Sequence, residues 1–375
     1  MKDAEQLLQN LIRIPSENNG TTGYEEHVQR FYFEYLKAHG INAEFFYPEE
    51  IPGFDSHPGR MKEHSMHFRP VVVGRINGNR QGKTLLLLAH ADTVPVGELA
   101  LWNDSPFSGK LENGRIYGRG SGDDKWGMAA MAFITIELLK RKCDFPGTLL
   151  IASVCDEEAG GGNGTVSLFA KGIHADEAIY LDGGSNQTIW HAGLGGGFCT
   201  VSGPEKEKIR RTIFDVKEDI RLRLSAHPCF GESFFKIIEK QFFLTRETTD
   251  GLSFFLDMIP GEDENTLKRS FEQRLPGYRF KWISRFLKPA MVPKESAFVM
   301  KLADSFEHVA GRRPQIGGGI QSDQGLVMHY GKIPCVLFGC GRRGMDGANH
   351  LPDEFIEVRA FEEICRAVLD YIAKA

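Results

Sequence analysis

The chain has 375 residues, 41% of them hydrophobic and 25% charged, with a net charge of −5. That length exceeds one ordinary core and predicts two domains of a soluble globular protein, and the mildly acidic balance without a Lys/Arg block excludes a nucleic-acid footprint. Seven scattered cysteines without CxxC spacing exclude a disulfide framework and a cysteine zinc site, and point to reduced thiols.

The N-terminal MKDAEQLLQN has no apolar signal core, and no run reaches membrane-spanning length, so a cytoplasmic location is expected. In chain order, AEQLLQNLIRI predicts a helix with Leu7, Leu8, Leu11 and Ile12 on one face, stopping at Pro15. GYEEHVQRFYFEYLKAHG predicts a second helix ending at Gly40. VVVGRI and TLLLLAH read as strands, KWGMAAMAFITIELLKRK as a helix, GTLLIASVCDEE as a strand, GTVSLFAKG as a short helix and EAIYLDGG as a strand. Continuous apolar strands separated by helices predict an α/β fold, a mainly parallel sheet flanked by helices on both faces.

After Leu194 the texture changes: residues 204–224 are highly charged and TTDGLSFFLDMIP reads as a sheet with one solvated face. The α/β pattern returns near Pro293 with helix KESAFVMKLADSFEHVAG, strand IPCVLFG and a final helix, RAFEEICRAVLDYIAKA. The predicted organisation is a catalytic domain, 1–193 and 293–375, interrupted by a smaller α+β domain, 194–292.

In an open α/β sheet, ligands sit outside the carboxyl ends of the strands. Three predicted strands end in ionisable groups: at His90 and Asp92, at Asp156, Glu157 and Glu158, and at Asp182. Any one alone reads more readily as a solvated turn; three on one edge suggest a site. His90 and Asp92 are two apart and share a side in extended backbone, so Asp92 is expected to accept the second ring N–H of a metal-bound His90. A core histidine satisfied by its neighbour is the alternative.

GRGSGDDKWG, 118–127, is a glycine-rich turn entering a helix. It lacks the phosphate-loop order, and its two aspartates suit a cation, which makes Asp123 a candidate carboxylate shared by two metals. Glu157 and Glu158 diverge in extended backbone, so one can ligate while the other accepts a proton; an acidic solvated loop is the other reading. GANHLPDEF supplies His350 in a loop. GCGRRG, 339–344, matches GxGxxG but no helix comes after it, which argues against dinucleotide binding. GLGGG, 193–197, marks the crossing between domains.

In order, HADTVP, PFSGKLENGRIYGRGSGDDK, DEEAGG, YLDGGS and ANHLPDE resemble the co-catalytic zinc family of carboxypeptidase G, acetylornithine deacetylase, succinyl-diaminopimelate desuccinylase and the carnosine-type dipeptidases. The resemblance covers most of the catalytic domain and is far weaker over 204–290. It implies a zinc-exopeptidase-like fold with an inserted lid and dimerisation domain. It implies that His90 and Asp182 hold one zinc, Glu158 and His350 the other, and Asp123 bridges both. Asp92 would orient His90, Glu157 would be the general base, and a cis peptide would join Asp123 to Asp124. RLSAHPCFGESFF resembles the family's stretch carrying an oxyanion-binding histidine, often supplied by the partner subunit, which makes His227 the candidate.

The donor chemistry agrees: nitrogen and oxygen ligands without sulfur suit two catalytic zinc ions, with cobalt or manganese as alternatives. Two departures from the family pattern stand out. Trp126 falls between Lys125 and Gly127, where the family has Lys-Gly-Gly, and Met258 stands near the place of an arginine that holds a substrate carboxylate. Arg342, Arg343 and Gly319 are the remaining candidate substrate-binding residues. Aspartate at 182 leans toward the peptidase members. The expected function is therefore a two-zinc amide hydrolase, a dipeptidase or carboxypeptidase for small peptides, acting as a homodimer. An N-acyl amino acid deacylase, a catalytically silent binding protein on the same fold and a nucleotide-binding oxidoreductase are the rivals.

Overall fold

The structure is a computed structural model that describes residues 1–183, 187–230, 245–249, 251–341 and 348–374. At its centre, strand Arg80–His90 pairs in parallel with Pro146–Val154 on one side and Glu177–Tyr180 on the other, and Cys335–Phe338 extends the parallel run. The leucine run has a simple cause. Leu85 and Leu87 point into one core and Leu86 and Leu88 into the other, so both faces of the strand are covered. Each such buried leucine contributes about 1.5–3 kcal/mol relative to an exposed one.

Toward the margins antiparallel pairs enter: Val71–Asn77 and Asn42–Phe46 on one side, and on the other Ile189–Gly193 and Ala290–Met291, with Ile316–Gly319 parallel to Ile189–Gly193. Helix Lys125–Lys140 is buried along most of its length because it packs between the sheet and helices Lys2–Ile12 and Val358–Lys374. Trp126, the departure in its first turn, is fully buried edge-on against Phe361 of the last helix, within the core.

A second, antiparallel sheet orders Thr245–Thr248, Gly251–Met258, Gly195–Ser202 and Arg279–Trp282. The charged stretch after residue 204 is helix Lys206–Ala226, which turns a single apolar stripe of Ile209, Ile213, Val216, Ile220 and Leu224 onto this sheet's core. Gly193 ends a strand of the large sheet and Gly195 begins one of the small sheet, so the crossing lies within the glycine-rich run. The chain returns beside its departure point: Leu287 bridges to Gly196, and Ala290 pairs with Gly193.

A third, three-stranded sheet matters for function. Phe355–Glu357 pairs with Arg115–Tyr117, and the Gly118 amide donates to the Glu354 carbonyl at 2.8 Å. This pairing brings the turn carrying Asp123 against the turn carrying His350, residues more than two hundred positions apart in sequence. All seven cysteines are free, and no helix among the described residues is long and apolar enough to cross a membrane.

Candidate active site

The ionisable groups gather at the carboxyl ends of the parallel strands. His90 is the last residue of its strand; Glu157 and Glu158 come after Pro146–Val154; Asp182 comes after Glu177–Tyr180. Asp123 sits in the turn before helix Lys125–Lys140, and the Asp123–Asp124 peptide is cis. The two oxygens of Asp123 face different imidazoles: Oδ1 lies 3.0 Å from His90 Nε2 and Oδ2 lies 3.1 Å from His350 Nε2. Glu158 Oε1 is 3.2 Å from His350 Nε2, and Glu157 Oε2 is 4.0 Å from His90 Nε2. His90, Asp123 and Glu158 each offer a ligand atom within 4.8 Å of the others, and so do His90, Asp124 and Asp182.

The sequence reading of Asp92 needs correction. The group 2.9 Å from His90 Nδ1 is the Asp92 main-chain carbonyl, while its nearer carboxylate oxygen stands at 3.7 Å. The carboxylate is committed elsewhere: it accepts from Asn18 Nδ2 at 2.8 Å and from the amides of Glu157 and Glu158 at 3.1 and 3.0 Å. Asp92 thus meets the His90 ring through its backbone carbonyl and the acidic turn through its side chain.

Asp124 was not singled out from the sequence, because its twin at 123 absorbed the motif. Its Oδ2 accepts from the His90 amide at 3.1 Å, and its buried Oδ1 has no hydrogen-bond partner. Glu354 accepts from the amides of Gly122 and Asp123 at 2.8 and 3.1 Å and pairs with buried Arg119. Asn349 Nδ2 lies 3.3 Å from Asp123 Oδ2. Behind Glu157, the carboxylate of Asp156 is gripped by Arg69 at 2.7 Å, His64 at 2.8 Å and Asn163 at 2.7 Å. Arg69 also pairs with Glu25, and all three charged groups are fully buried. No local pattern announces these partners, since each comes from a distant segment.

The electrostatics result from crowding. Burial opposes charge on both imidazoles, but the carboxylates around them prevail and raise the pKa values of His90 and His350 well above the ordinary histidine value. Burial raises Glu157 well above the usual carboxylate range, with His90 opposing and Asp323, Asp182 and Glu158 adding to the rise. Burial likewise raises Asp124, reinforced by Asp182. So many buried carboxylates around two imidazoles, with an orphan oxygen on Asp124, make a donor set that fits two divalent cations.

Asp123, Glu157, Glu158, Asp182 and His350 open into one cavity of about 250 Å³, whose opposite wall is the small sheet. Among the other sequence candidates, His227 caps helix Lys206–Ala226 and its Nδ1 accepts from the Cys229 amide at 3.2 Å; it is not among the residues lining this cavity. Gly319 packs so closely on Trp190 that a Cβ there would come within 2.0 Å of the ring, and the lining begins at the next residues, Ile320 and Gln321. Arg342 and Arg343 lie outside the described residues. Met258 is buried, while its neighbour Asp257 lines the cavity.

A fold of this kind, with paired imidazoles and carboxylates at the strand ends, defines a metal-dependent amide hydrolase. The sequence pattern of peptidase family M20/M25/M40 matches residues 86–374, and the chain belongs to that family. It is 27% identical over 394 aligned positions to a succinyl-diaminopimelate desuccinylase of Methylorubrum extorquens, covering 96% of this chain and 95% of that protein. The desuccinylase of Methylobacterium nodulans is 35% identical, but over only 47% of this chain and 41% of its own length. In fold, the chain resembles the M20 family metallo-carboxypeptidase Sso-CP2 from Sulfolobus solfataricus, with a TM-score of 0.73, 19% identity and coverage of 100% and 99% of the two chains. It also resembles human carnosine dipeptidase 1, with a TM-score of 0.69, 13% identity and coverage of 100% and 96%.

Proposed function

We propose that this chain hydrolyses an amide bond of a small peptide, as a dipeptidase or carboxypeptidase, with two divalent metal ions. The observation that carries the reading is the pair of Asp123 oxygens, each aimed at its own imidazole, beside a Glu157 that burial keeps avid for protons. His90 and Asp182 would hold one ion, Glu158 and His350 the other, and Asp123 would bridge them. Zinc suits this nitrogen and oxygen donor set, with cobalt and manganese as alternatives. Bound there, the ions would supply a polarised carbonyl and an acidified water.

The chain's own groups do the rest. Glu157 takes the proton of the attacking water and returns it to the departing amine nitrogen, a task suited to a carboxyl with a raised pKa. Asp92 holds Glu157 and Glu158 in place by their amides and sets the His90 ring through its carbonyl. His227, outside the cavity of its own chain, is assigned as the oxyanion donor of a partner subunit, in a homodimer built through residues 194–292. The seven unpaired thiols support a reducing compartment, the cytoplasm.

N-acyl amino acid deacylation is the second reading, favoured by the full-length similarity to a desuccinylase. The cavity lining carries apolar Phe198, Phe255, Leu287 and Ile320 together with the cations Lys217 and Arg246, which suit an anionic tail as well, so the preference for the peptide reading rests on aspartate at position 182. The deciding experiment is elemental analysis of the purified protein, with turnover of dipeptides, N-acetyl and N-succinyl amino acids. Two metal equivalents with peptide cleavage support the first reading. Turnover of the acyl compounds alone moves the assignment to the second, and full metal occupancy with no amide cleavage defeats both.

A further inference from the structure

The small sheet presents one surface to the cavity, and its register can be read residue by residue. Along strand Gly251–Met258 the side chains of Ser253, Phe255 and Asp257 share a side by the period-two rule. Across the neighbouring strands, Ser253 is paired with Arg246, Phe255 with Phe198 and Asp257 with Gly196. The cavity face is therefore an aromatic row bordered by Arg246 and Ser253 on one side and Asp257 on the other.

The aromatic row is shaped for a visitor. The rings of Phe198 and Phe255 meet edge-on at 5.1 Å and 86°. Gly196 has φ +141, and a Cβ there would approach the Phe255 ring to 2.5 Å, so the ring rests across bare backbone. Phe198 remains 38% exposed, and that exposure opens onto the same cavity as Asp123 and His350. Apolar walls with a few polar groups at their edges are the usual make-up of a small-molecule pocket. The aromatic row is not needed to hold the metals or move the proton.

We propose that Phe198 and Phe255 form the specificity subsite for a bulky apolar substituent, aromatic or branched aliphatic, on one half of the amide substrate. The proposal rests on the amide-hydrolase reading above. It makes Phe198 and Phe255 substrate-contacting residues and leaves Arg246 and Asp257 as the polar edges that orient what lies between them.

The test compares matched compounds that differ only in one side chain: Phe-Gly with Ala-Gly, Gly-Phe with Gly-Ala, and N-acetyl-Phe with N-acetyl-Ala. In at least one pair the phenylalanine compound should have kcat/KM higher by about 10- to 100-fold, the range a hydrophobic pocket gives for such a change. Phe198→Ala, at a partly exposed site that tolerates truncation, should reduce that ratio about tenfold, mainly through KM, and Phe198→Leu should restore part of it. Ratios near one in all three pairs, or a ratio that Phe198→Ala leaves unchanged, overturn the proposal. Binding of the same compounds to zinc-loaded Glu157→Gln protein, read by calorimetry, separates this from failure of the hydrolase reading. Tighter binding of a phenylalanine compound without any wild-type turnover would sustain the subsite and reject the reaction. Equal or absent binding would reject the subsite.

Discussion

Arg69 Nη1 lies 2.7 Å from Asp156 Oδ1, and both side chains are wholly shut off from solvent. The ion pair stands one residue before the two acids of the active site, and Asp156 holds a left-handed backbone, φ +65. Burying such charges is tolerable only while each remains paired. Arg69→Met should therefore destabilise the fold by about 3–5 kcal/mol, read as a shift in urea unfolding. A loss below about 1 kcal/mol, the range of exposed ion pairs, would show that the buried Arg69–Asp156 pair does not support the fold.

Glu157→Gln should keep the metal content of the wild-type protein and lose about 10²–10⁴-fold in kcat. Elemental analysis and turnover on the same preparation check this. Full occupancy with undiminished turnover removes Glu157 from proton transfer.

The ligand assignment predicts unequal metal losses. His350→Ala and Asp182→Ala should each retain about one equivalent, whereas Asp123→Ala should retain neither, because ligands must be preassembled for tight binding. Equal retention by all three variants would contradict a shared Asp123.

His227→Ala should lower kcat by about 10²–10³-fold if its imidazole serves the oxyanion of a partner subunit. Mixing the His227→Ala and Glu157→Gln proteins under conditions of subunit exchange should recover activity well above either alone. No recovery on mixing, despite confirmed exchange, would keep His227 out of the neighbouring cavity.

Asp257 provides a pH test. Burial pushes its pKa up to about 6, against the opposing influence of Lys217 and Gln321. The native state then binds more protons than the unfolded chain between about pH 4 and 6, so this group's contribution to stability is present at low pH and lost as pH rises through that window. Asp257→Asn removes the titration. Its stability relative to wild type should improve from pH 4.5 to 7.5 by up to about 2 kcal/mol, at about 1.36 kcal/mol per pKa unit. Denaturant unfolding at the two pH values measures it, and a constant difference would refute the shift.

Much of the candidate site is legible in the sequence because its residues stand at strand ends. TLLLLAH announces a strand buried on both faces, and the residues just beyond the carboxyl end of such a strand in a parallel sheet are where ligands collect. His90, Glu157, Glu158 and Asp182 were readable in that way, while Asp123 and His350 needed the glycine-rich turn and the family resemblance. Residues that act through distant partners were not readable. Asn18 reaches Asp92 across 74 positions, and Arg69 reaches Asp156 across 87, with no periodicity to betray either. Asp92 shows the limit of reading contacts from spacing: two-residue alternation places its side chain near His90, but Asn18 and the amides of Glu157 and Glu158 lie closer to its carboxylate. The abundance of phenylalanine said nothing about substrate until the strand register set Phe198 opposite Phe255.

The neighbouring positions of Gly193 and Ala290 have an architectural meaning. The outgoing and incoming strands pair, so the chain leaves and re-enters the large sheet about one strand spacing apart, roughly 5 Å. A short turn could close that gap, leaving every ligand-bearing strand end in an unbroken body. The rows of the small sheet that face the cavity can therefore change side chains without redrawing the strand ends that carry His90, Glu158 and Asp182.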